Sequence, residues 1–259
     1  MQVNCNHLQV GYGDTVIIND MTITIDKKQI TSIIGPNGSG KSTVLKAATR
    51  LLNYQKGEVI INGRDIRKYK SKELSRYIGV LAQKHSAPAD FRVKELVSYG
   101  RMPHLKPLSS FSKEDYEIID KVMKTTGVWH LRDKSIYECS GGETQRVWIA
   151  TVLAQDPEIL FLDEPTTYLD VAHQLEVMQL VKNLNKNTGV GIVMVLHDLG
   201  QALEVSDKII VIKDGKKYSE GTPEEVITPK MLKEVYNVDA DVISIAGREK
   251  PVIIYKELA

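Results

Sequence analysis

The chain has 259 residues, of which 42% are hydrophobic and 26% are charged, a composition typical of a globular protein with a sizeable core. Its formal net charge of +1 argues against a nucleic-acid-binding protein, which would carry a strongly basic face. Its two cysteines indicate neither a disulfide framework nor a clustered metal site. The first residues show no secretory signal, and no apolar run approaches the roughly 20 residues that span a bilayer, so we expect a soluble protein.

The first third of the chain is predicted to consist mainly of short strands, at residues 6–12, 16–25, 30–35 and 57–63. A helix from residue 41 to about 52 interrupts them, and a further strand ends at Gln83. Helical spacing then dominates, at 93–100 and 112–127. In the second of these helices Ser112 and Asp115 form a capping box. Its predicted apolar stripe consists of Tyr116, Ile119, Val122 and Met123.

Strand and helix alternate again after residue 158, with a helix ending at Gly189 and another starting at Thr222 and Pro223. The tail predicts two strands around a polar turn. Such alternation implies a parallel sheet. The predicted fold is therefore α/β: a mixed sheet with a parallel α/β core, an added antiparallel β layer and an inserted helical lobe. We expect residues 1–84 and 158–259 to form the core and residues 85–157 the lobe.

The sequence GPNGSGKST at residues 35–43 matches the phosphate-loop pattern G-x-x-x-x-G-K-[ST] in full, between an apolar run and a predicted helix. Glycines let backbone N–H groups converge on phosphate oxygens, Lys41 supplies a positive charge, and the Ser42 hydroxyl can ligate Mg²⁺. A chance glycine-rich turn is the weaker interpretation. The predicted ATP-binding residues of this loop are Gly35, Pro36, Asn37, Gly38, Ser39, Gly40, Lys41, Ser42 and Thr43.

Polar side chains at the ends of other predicted strands complete a candidate site. Asp163 ends an apolar strand and can hold Mg²⁺, while Glu164 follows it and can polarise an attacking water. His197 ends another strand and is a candidate γ-phosphate contact, although polar termination of a strand is its usual role. Gln83 is a candidate Mg²⁺ or water ligand, or an ordinary loop amide. Tyr12 is a candidate to stack on adenine, or a core aromatic.

A second small-residue helix start, CSGGETQR at residues 139–146, poses a question, because one nucleotide needs only one phosphate cradle. It also carries an acid, Glu143, where an anion would bind. Cys139, just before this helix start, is interpreted as a small apolar packing residue and not as a redox group, since no second cysteine is near.

Taken in order, Tyr12, GPNGSGKST, Gln83, CSGGE, ILFLDEP, TYLD and His197 resemble the ATPase subunits of ABC transporters over nearly the whole chain. The resemblance implies a dimer in which ATP lies between the phosphate loop of one subunit and the SGG helix end of the other. It implies that Glu164 and His197 are catalytic, and that Ser42, Gln83 and Asp163 hold Mg²⁺. The residues that it implies reach across the dimer to the partner's ATP are Ser140, Gly141, Gly142, Glu143 and Asp170.

The segment LAQKHSAPADFRVKELVSYGRMPH at 81–104 narrows the resemblance to importers of iron–siderophore complexes, with haem and vitamin B12 importers as close relatives. That resemblance implies membrane permease subunits docking at about residues 83–101, an extracytoplasmic substrate-binding protein, and a peripheral location on the cytoplasmic face of the membrane. At the position of Cys139 the family usually has Leu, and at the position of Glu143 it often has Gln. This chain has TYLD where the family more commonly has SALD, and Asp170 is retained.

Three other functions stay open at this level. One is a non-transport ABC ATPase, such as a DNA-repair or cluster-assembly ATPase; its DNA-repair form is disfavoured by the near-neutral charge and the absence of sustained heptads. A phosphate-loop kinase would not need SGG or His197. A nucleotide-gated scaffold would bind ATP without hydrolysing it.

Overall fold

A computed structural model of the protein describes residues 1–88, 91–106 and 109–259. The chain forms two compact units, which we call unit 1 (residues 1–66 and 193–259) and unit 2 (residues 67–192). The core and lobe expected from the sequence have other boundaries and stay a prediction.

The first segment of unit 1 builds an antiparallel sheet and the strand that leads into the phosphate loop. Its elements are β1 (Gln2–Tyr12), β2 (Thr15–Asp26), β3 (Ile30–Ile34), α1 (Lys41–Ala48), β4 (Lys56–Ile61) and β5 (Arg64–Asp65). The order β2-β1-β4-β5, with antiparallel pairing throughout, confirms the predicted β layer. The predicted helix was too long, because Arg50 adopts a left-handed φ of 61° that no helix continues through.

Unit 2 contains a parallel strand pair and most of the helices. Its elements are α2 (Ser71–Leu74), β6 (Ile78–Leu81), α3 (Val93–Tyr99), α4 (Lys113–Thr125), α5 (Gly141–Leu153), β7 (Ile159–Asp163) and α6 (Val171–Thr188). β6 and β7 pair in parallel, from Ile78 opposite Ile159 to Leu81 opposite Leu162. Helices α3, α4 and α5 pack around one apolar cluster, whose buried members include Val97, Ile119, Met123 and Val147.

Helix α4 begins with the predicted capping box, and its predicted apolar stripe is buried except for one residue. The Ser112 hydroxyl accepts from the Asp115 N–H at 3.2 Å, and the Asp115 carboxylate accepts from the Ser112 N–H at 3.0 Å, which confirms the capping box. Ile119 and Met123 are buried, but Tyr116 is 46% exposed, so its assignment to the apolar stripe was wrong. Tyr116 lies one turn before the buried residues, where its ring packs edge-on against Phe111 instead.

A buried ion pair ties α4 to the residue two places after α3. The Arg101 Nε donates to Asp115 Oδ1 at 3.0 Å, and its Nη1 donates to the Ala154 carbonyl at 2.9 Å. Both charged side chains are almost completely buried. Burial on its own raises the pKa of Asp115, but hydrogen bonds from Ser112 and Arg101 outweigh it and hold that pKa below its usual value.

The second segment of unit 1 completes a mixed sheet and adds a C-terminal hairpin. Its elements are β8 (Gly191–Val195), which starts in unit 2, then α7 (Leu199–Val205), β9 (Lys208–Lys213), β10 (Lys216–Gly221), α8 (Pro223–Val226), α9 (Pro229–Tyr236), β11 (Val238–Ile243) and β12 (Val252–Leu258). In unit 1 the strand order is β10-β9-β3-β8, with β3 and β9 parallel and β9 and β10 antiparallel. The predicted α/β class, with a mixed sheet, a parallel core and an antiparallel layer, is confirmed.

Two strands stop before the residues predicted to end them. β6 ends at Leu81 and β8 at Val195, so Gln83 and His197 each lie two residues beyond a strand. After β8, Asp198 caps α7 by accepting from the Gln201 N–H at 2.8 Å, which turns the chain out of the sheet. β7 ends at Asp163, as predicted.

Among the described residues, no helix is both long and apolar enough to cross a membrane.

Candidate functional site

The phosphate loop of unit 1 follows β3, all five residues of which are buried. Gly35 has a φ of 152°, and a Cβ atom built on it would lie 2.0 Å from the Ile212 carbonyl oxygen of β9. Only glycine lets the loop pass this close to the neighbouring strand. The loop then reaches α1, whose N-cap Gly40 provides no side-chain cap and whose first turn holds no acid. The backbone N–H groups at this helix start are therefore suited to an anion.

Lys41 closes the phosphate loop through two backbone carbonyls. Its Nζ donates to the Gly35 carbonyl at 3.0 Å and to the Pro36 carbonyl at 2.9 Å, and the side chain is buried. The buried Ser39 hydroxyl has no hydrogen-bond partner among the described residues. A buried ammonium group and a spare hydroxyl beside an uncapped helix start form a cradle that fits a chain of phosphates.

Two more predicted residues lie in unit 1. Tyr12 ends β1 and is 52% exposed, so it is not a core aromatic and its ring is accessible for stacking. His197 is exposed at a cleft of about 440 Å³, which it shares with Arg248 and Tyr255 of the C-terminal region. The Leu196 N–H donates to the Ile33 carbonyl at 3.2 Å, so the His197 loop leaves the strand next to the one that carries the phosphate loop.

Unit 2 brings the predicted acids and Gln83 together. Asp163 is 2% exposed at the end of β7, and Glu164 follows with a left-handed φ of 55°. Glu164 Oε2 accepts from the Gln83 Nε2 at 2.6 Å and from the Thr167 hydroxyl at 3.1 Å. A strained backbone held by two side-chain hydrogen bonds gives the carboxylate a defined position. Thr167 was not predicted, although it directly follows the DEPT sequence.

A cleft of about 260 Å³ in unit 2 contains these residues and the second helix start. Its lining includes Gln83, Cys139, Gly141, Glu164 and Tyr168, with Asp163 at its base. The lining therefore includes both residues predicted to act on the subunit's own nucleotide and a residue, Gly141, predicted to act on the partner's. Tyr168, at 94% exposure, stands at its edge.

Glu143 has a function inside its own chain. The Ser140 hydroxyl accepts from the Glu143 N–H at 3.2 Å, and Glu143 Oε2 accepts from the Ser140 N–H at 2.8 Å, which is a capping box at the start of α5. The hydrogen bond from the Ser140 backbone is the main reason why the pKa of Glu143 is lowered. The acid therefore stabilises the helix start, and its contact with a partner's ATP stays a prediction.

Cys139 is a packing residue. Its side chain is half-buried against the apolar cluster of unit 2, and burial raises the pKa of its thiol. A raised pKa disfavours the reactive thiolate, as the sequence indicated.

Asp170 begins α6 and is joined there by a residue that the sequence did not single out. Asp170 Oδ1 accepts from the His173 N–H at 2.9 Å and lies 2.8 Å from His173 Nδ1. The backbone hydrogen bond from His173 is the main reason why the pKa of Asp170 is lowered. The His173 ring also contacts Gly142 of α5, where a Cβ atom would lie 2.0 Å from its Cδ2. The only signal in the sequence is the histidine three residues after an N-cap acid.

The combination of phosphate loop, acid pair and second helix start matches a known family. The model of the ABC transporter family matches residues 18–167 of the chain. The chain belongs to the ABC transporter family. As a cassette of this family of ATPases it binds ATP, and the loop at 35–43 lies within the matched region.

Sequence similarity to curated proteins extends over nearly the whole chain. The iron(3+)-hydroxamate import ATP-binding protein FhuC of Bacillus subtilis strain 168 is 44% identical over 256 residues, 99% of this chain and 95% of that protein. The ferric enterobactin transport ATP-binding protein FepC of Escherichia coli K12 is 40% identical over 247 residues, 95% of this chain and 91% of that protein. A dimeric ATP-binding cassette in a post-hydrolysis state with ADP and Pi superposes with a TM-score of 0.73 at 28% identity, covering 85% of this chain and 98% of that one.

Proposed function

We propose that this protein is the ATP-hydrolysing subunit of an importer of iron(III)–siderophore complexes, working on separate permease subunits at the cytoplasmic face of the membrane. The observation that carries the proposal is the 44% identity, over 99% of the chain, to a subunit named for import of iron(3+) hydroxamates. A relative named for transport of ferric enterobactin supports the same cargo class, since both names give iron(III) as part of the cargo.

ATP binding begins with an exchange of partners at Lys41. We propose that the phosphates displace the Gly35 and Pro36 carbonyls from the ammonium group, which then binds the β- and γ-phosphates. The loop N–H groups and Thr43 surround the remaining oxygens, and the exposed Tyr12 ring stacks on the base. The nucleotide is thus held at its phosphates by charge and at its base by stacking.

Mg²⁺ fits the donors that the chain offers. We propose that Asp163, Ser42 and Gln83 hold the ion, because each carries a side-chain oxygen, the kind of donor that Mg²⁺ prefers. Such a site resembles those in which protein supplies few ligands and the substrate phosphates supply others. When bound, the ion neutralises developing charge on the phosphate oxygens.

Hydrolysis depends on the placement of water. Glu164 orients or deprotonates it, with Gln83 and Thr167 fixing the carboxylate. His197 donates to the γ-phosphate oxygens as charge shifts during transfer. Positioning and electrostatics supply most of the rate acceleration in this chemistry.

The second helix start acts on the partner's nucleotide, which answers the question raised by its sequence. Gly141 is exposed, and the atom nearest to its built Cβ is Leu169 Cδ2 at an ordinary 3.6 Å, so packing in its own chain does not require glycine there. Close approach of a partner's phosphate does. A hydroxyl has one donor and two acceptor positions, so Ser140 can accept from Glu143 and still donate to that phosphate. The related dimeric cassette with ADP and Pi supports a dimer.

Permease docking is proposed for residues 83–101. Ala89 and Asp90 of this segment lie outside the described residues. Within the rest, Tyr99 is exposed and its ring pairs with Phe91 at 5.2 Å, which provides an aromatic contact surface. Arg101 is buried in its ion pair and marks the end of that surface.

The test combines transport and turnover. A strain lacking this protein should lose uptake of radioactive iron supplied as a ferric hydroxamate or as ferric enterobactin, and regain it with the wild-type protein but not with Lys41→Ala. Haem and vitamin B12 uptake are measured in parallel. If the wild-type protein restores uptake of only one of these two compounds, that compound is the cargo instead of the iron(III)–siderophore complex. Normal uptake of all of these substrates in the deletion strain would contradict an import function.

A further inference from the structure

Two elements predicted to reach the partner's ATP are fastened to each other inside unit 2. Gly142 lies at the start of α5, and Asp170 lies at the start of α6. They are 28 positions apart in the sequence, yet both contact the same side chain, His173. The imidazole edge covers the backbone of Gly142, and its Nδ1 faces Asp170.

The glycine at 142 is explained by this contact. A built Cβ would lie 2.0 Å from His173 Cδ2 and 2.5 Å from Cγ, distances at which the ring must move. Its neighbour Gly141 has no such contact. The two glycines of the SGG sequence therefore have different causes: one makes room for an imidazole in the same chain, and the other leaves the helix start open.

Two further contacts make the attachment rigid. The next residue, Gln174, donates from Nε2 to the Leu169 carbonyl at 2.9 Å, which holds the turn before Asp170. One turn along α5 from Gly142, Arg146 forms an ion pair with Glu176 of α6. The two helix starts are thus connected at two places, by the His173 ring and by the ion pair between Arg146 and Glu176.

We infer that His173 is a positioning residue that locks the Ser140–Gly142 helix start and Asp170 into one block, which each subunit presents to its partner's ATP. This inference rests on the proposed dimer. It assigns His173 no contact with nucleotide. Its effect is to fix the spacing between two groups that must meet one ligand, and such pre-organisation lowers the cost of association.

The test uses the full-length protein and three variants. His173→Ala removes both contacts, His173→Phe keeps a ring over Gly142 but removes the nitrogen that faces Asp170, and Asn183→Ala changes an exposed residue of the same helix as a control. Dimerisation with ATP is measured by sedimentation in a Glu164→Gln background, which slows hydrolysis. ATP affinity is measured separately at protein concentrations where the subunit is monomeric, and thermal unfolding is followed without nucleotide.

We expect His173→Ala to weaken ATP-dependent dimerisation about tenfold, as for loss of a charge-assisted hydrogen bond, with His173→Phe intermediate and Asn183→Ala unchanged. ATP affinity of the monomer should stay unchanged in all three, because its phosphate loop is intact. Unchanged dimerisation in His173→Ala would overturn the inference, and so would a parallel loss of monomer ATP affinity. If His173→Ala does not fold, His173→Phe decides by the same criteria. Failure of the Glu164→Gln parent to dimerise with ATP would instead refute the proposed dimer.

Discussion

Replacing Gly141 and Gly142 singly by alanine should change stability in opposite directions. At Gly141 the new Cβ meets only Leu169 Cδ2, at 3.6 Å, and alanine is preferred to glycine in a helix by up to about 1 kcal/mol. The free energy of unfolding should therefore rise slightly. At Gly142 the new Cβ would lie 2.0 Å from the His173 ring, and forcing such a group into packed space costs about 1–3 kcal/mol.

Urea unfolding of the nucleotide-free proteins, compared by midpoint at constant slope, measures both changes. Adding His173→Ala to Gly142→Ala should recover part of the lost stability, because the ring that opposes the Cβ is gone. Gly141→Ala should lose most ATP hydrolysis despite its stability, since its Cβ blocks the partner's phosphate. Equal stability changes in the two single variants would refute the assigned packing of His173, and wild-type hydrolysis in Gly141→Ala would remove Gly141 from the partner's site.

Three other outcomes follow from the geometry. Glu164→Gln should cut the rate of phosphate release by roughly 10²–10⁴ and leave the ATP affinity, measured by equilibrium titration, unchanged. The control is Glu225→Gln, which changes an acid in the capping box of α8. Unchanged turnover would exclude Glu164 as the base. Lys41→Ala should weaken ATP affinity itself, and retained affinity would contradict the phosphate-loop assignment. Arg101→Met should destabilise unit 2 by about 3–5 kcal/mol near pH 7, because Asp115 is left buried and charged. The wild-type pair stabilises the fold above the ordinary carboxyl pKa, since the folded pKa of Asp115 is lowered, and this contribution is lost as pH falls through that lowered pKa. Denaturation midpoints that differ equally at neutral and acidic pH would contradict that cause.

The parts of the fold and site that the sequence predicted depend on short-range patterns. The phosphate loop is a contiguous motif, and its glycines and Lys41 act within a few residues of each other. Asp163 follows a fully apolar run, and a buried strand of that kind has little freedom in where it ends. The caps at Ser112 and Thr222 are also local, since each joins residues three apart.

The features that the sequence did not predict depend on contacts between distant residues. Tyr116 fits the helical stripe as well as Ile119 does, and only the extent of the cluster around α4 leaves it exposed. Gln83, two residues beyond β6, donates a hydrogen bond to Glu164, which follows 81 residues later in the sequence. His173 has no motif of its own, because its importance arises from a ring placed over Gly142 by the packing of two helices.

The hydrogen bond between Gln83 and Glu164 has a consequence for the cell's supply of ATP. Gln83 begins the segment proposed to meet the permease, and its amide occupies the Oε2 atom of the proposed base at 2.6 Å. A carboxylate has two oxygens and about four acceptor positions, so this hydrogen bond and the one from Thr167 position Glu164 without using up its capacity to hold a water. Under the proposed docking, a permease that shifts the segment would shift the carboxylate with it. The rate at which a cell spends ATP on this subunit would then depend on whether the subunit is docked, because one amide belongs to both places.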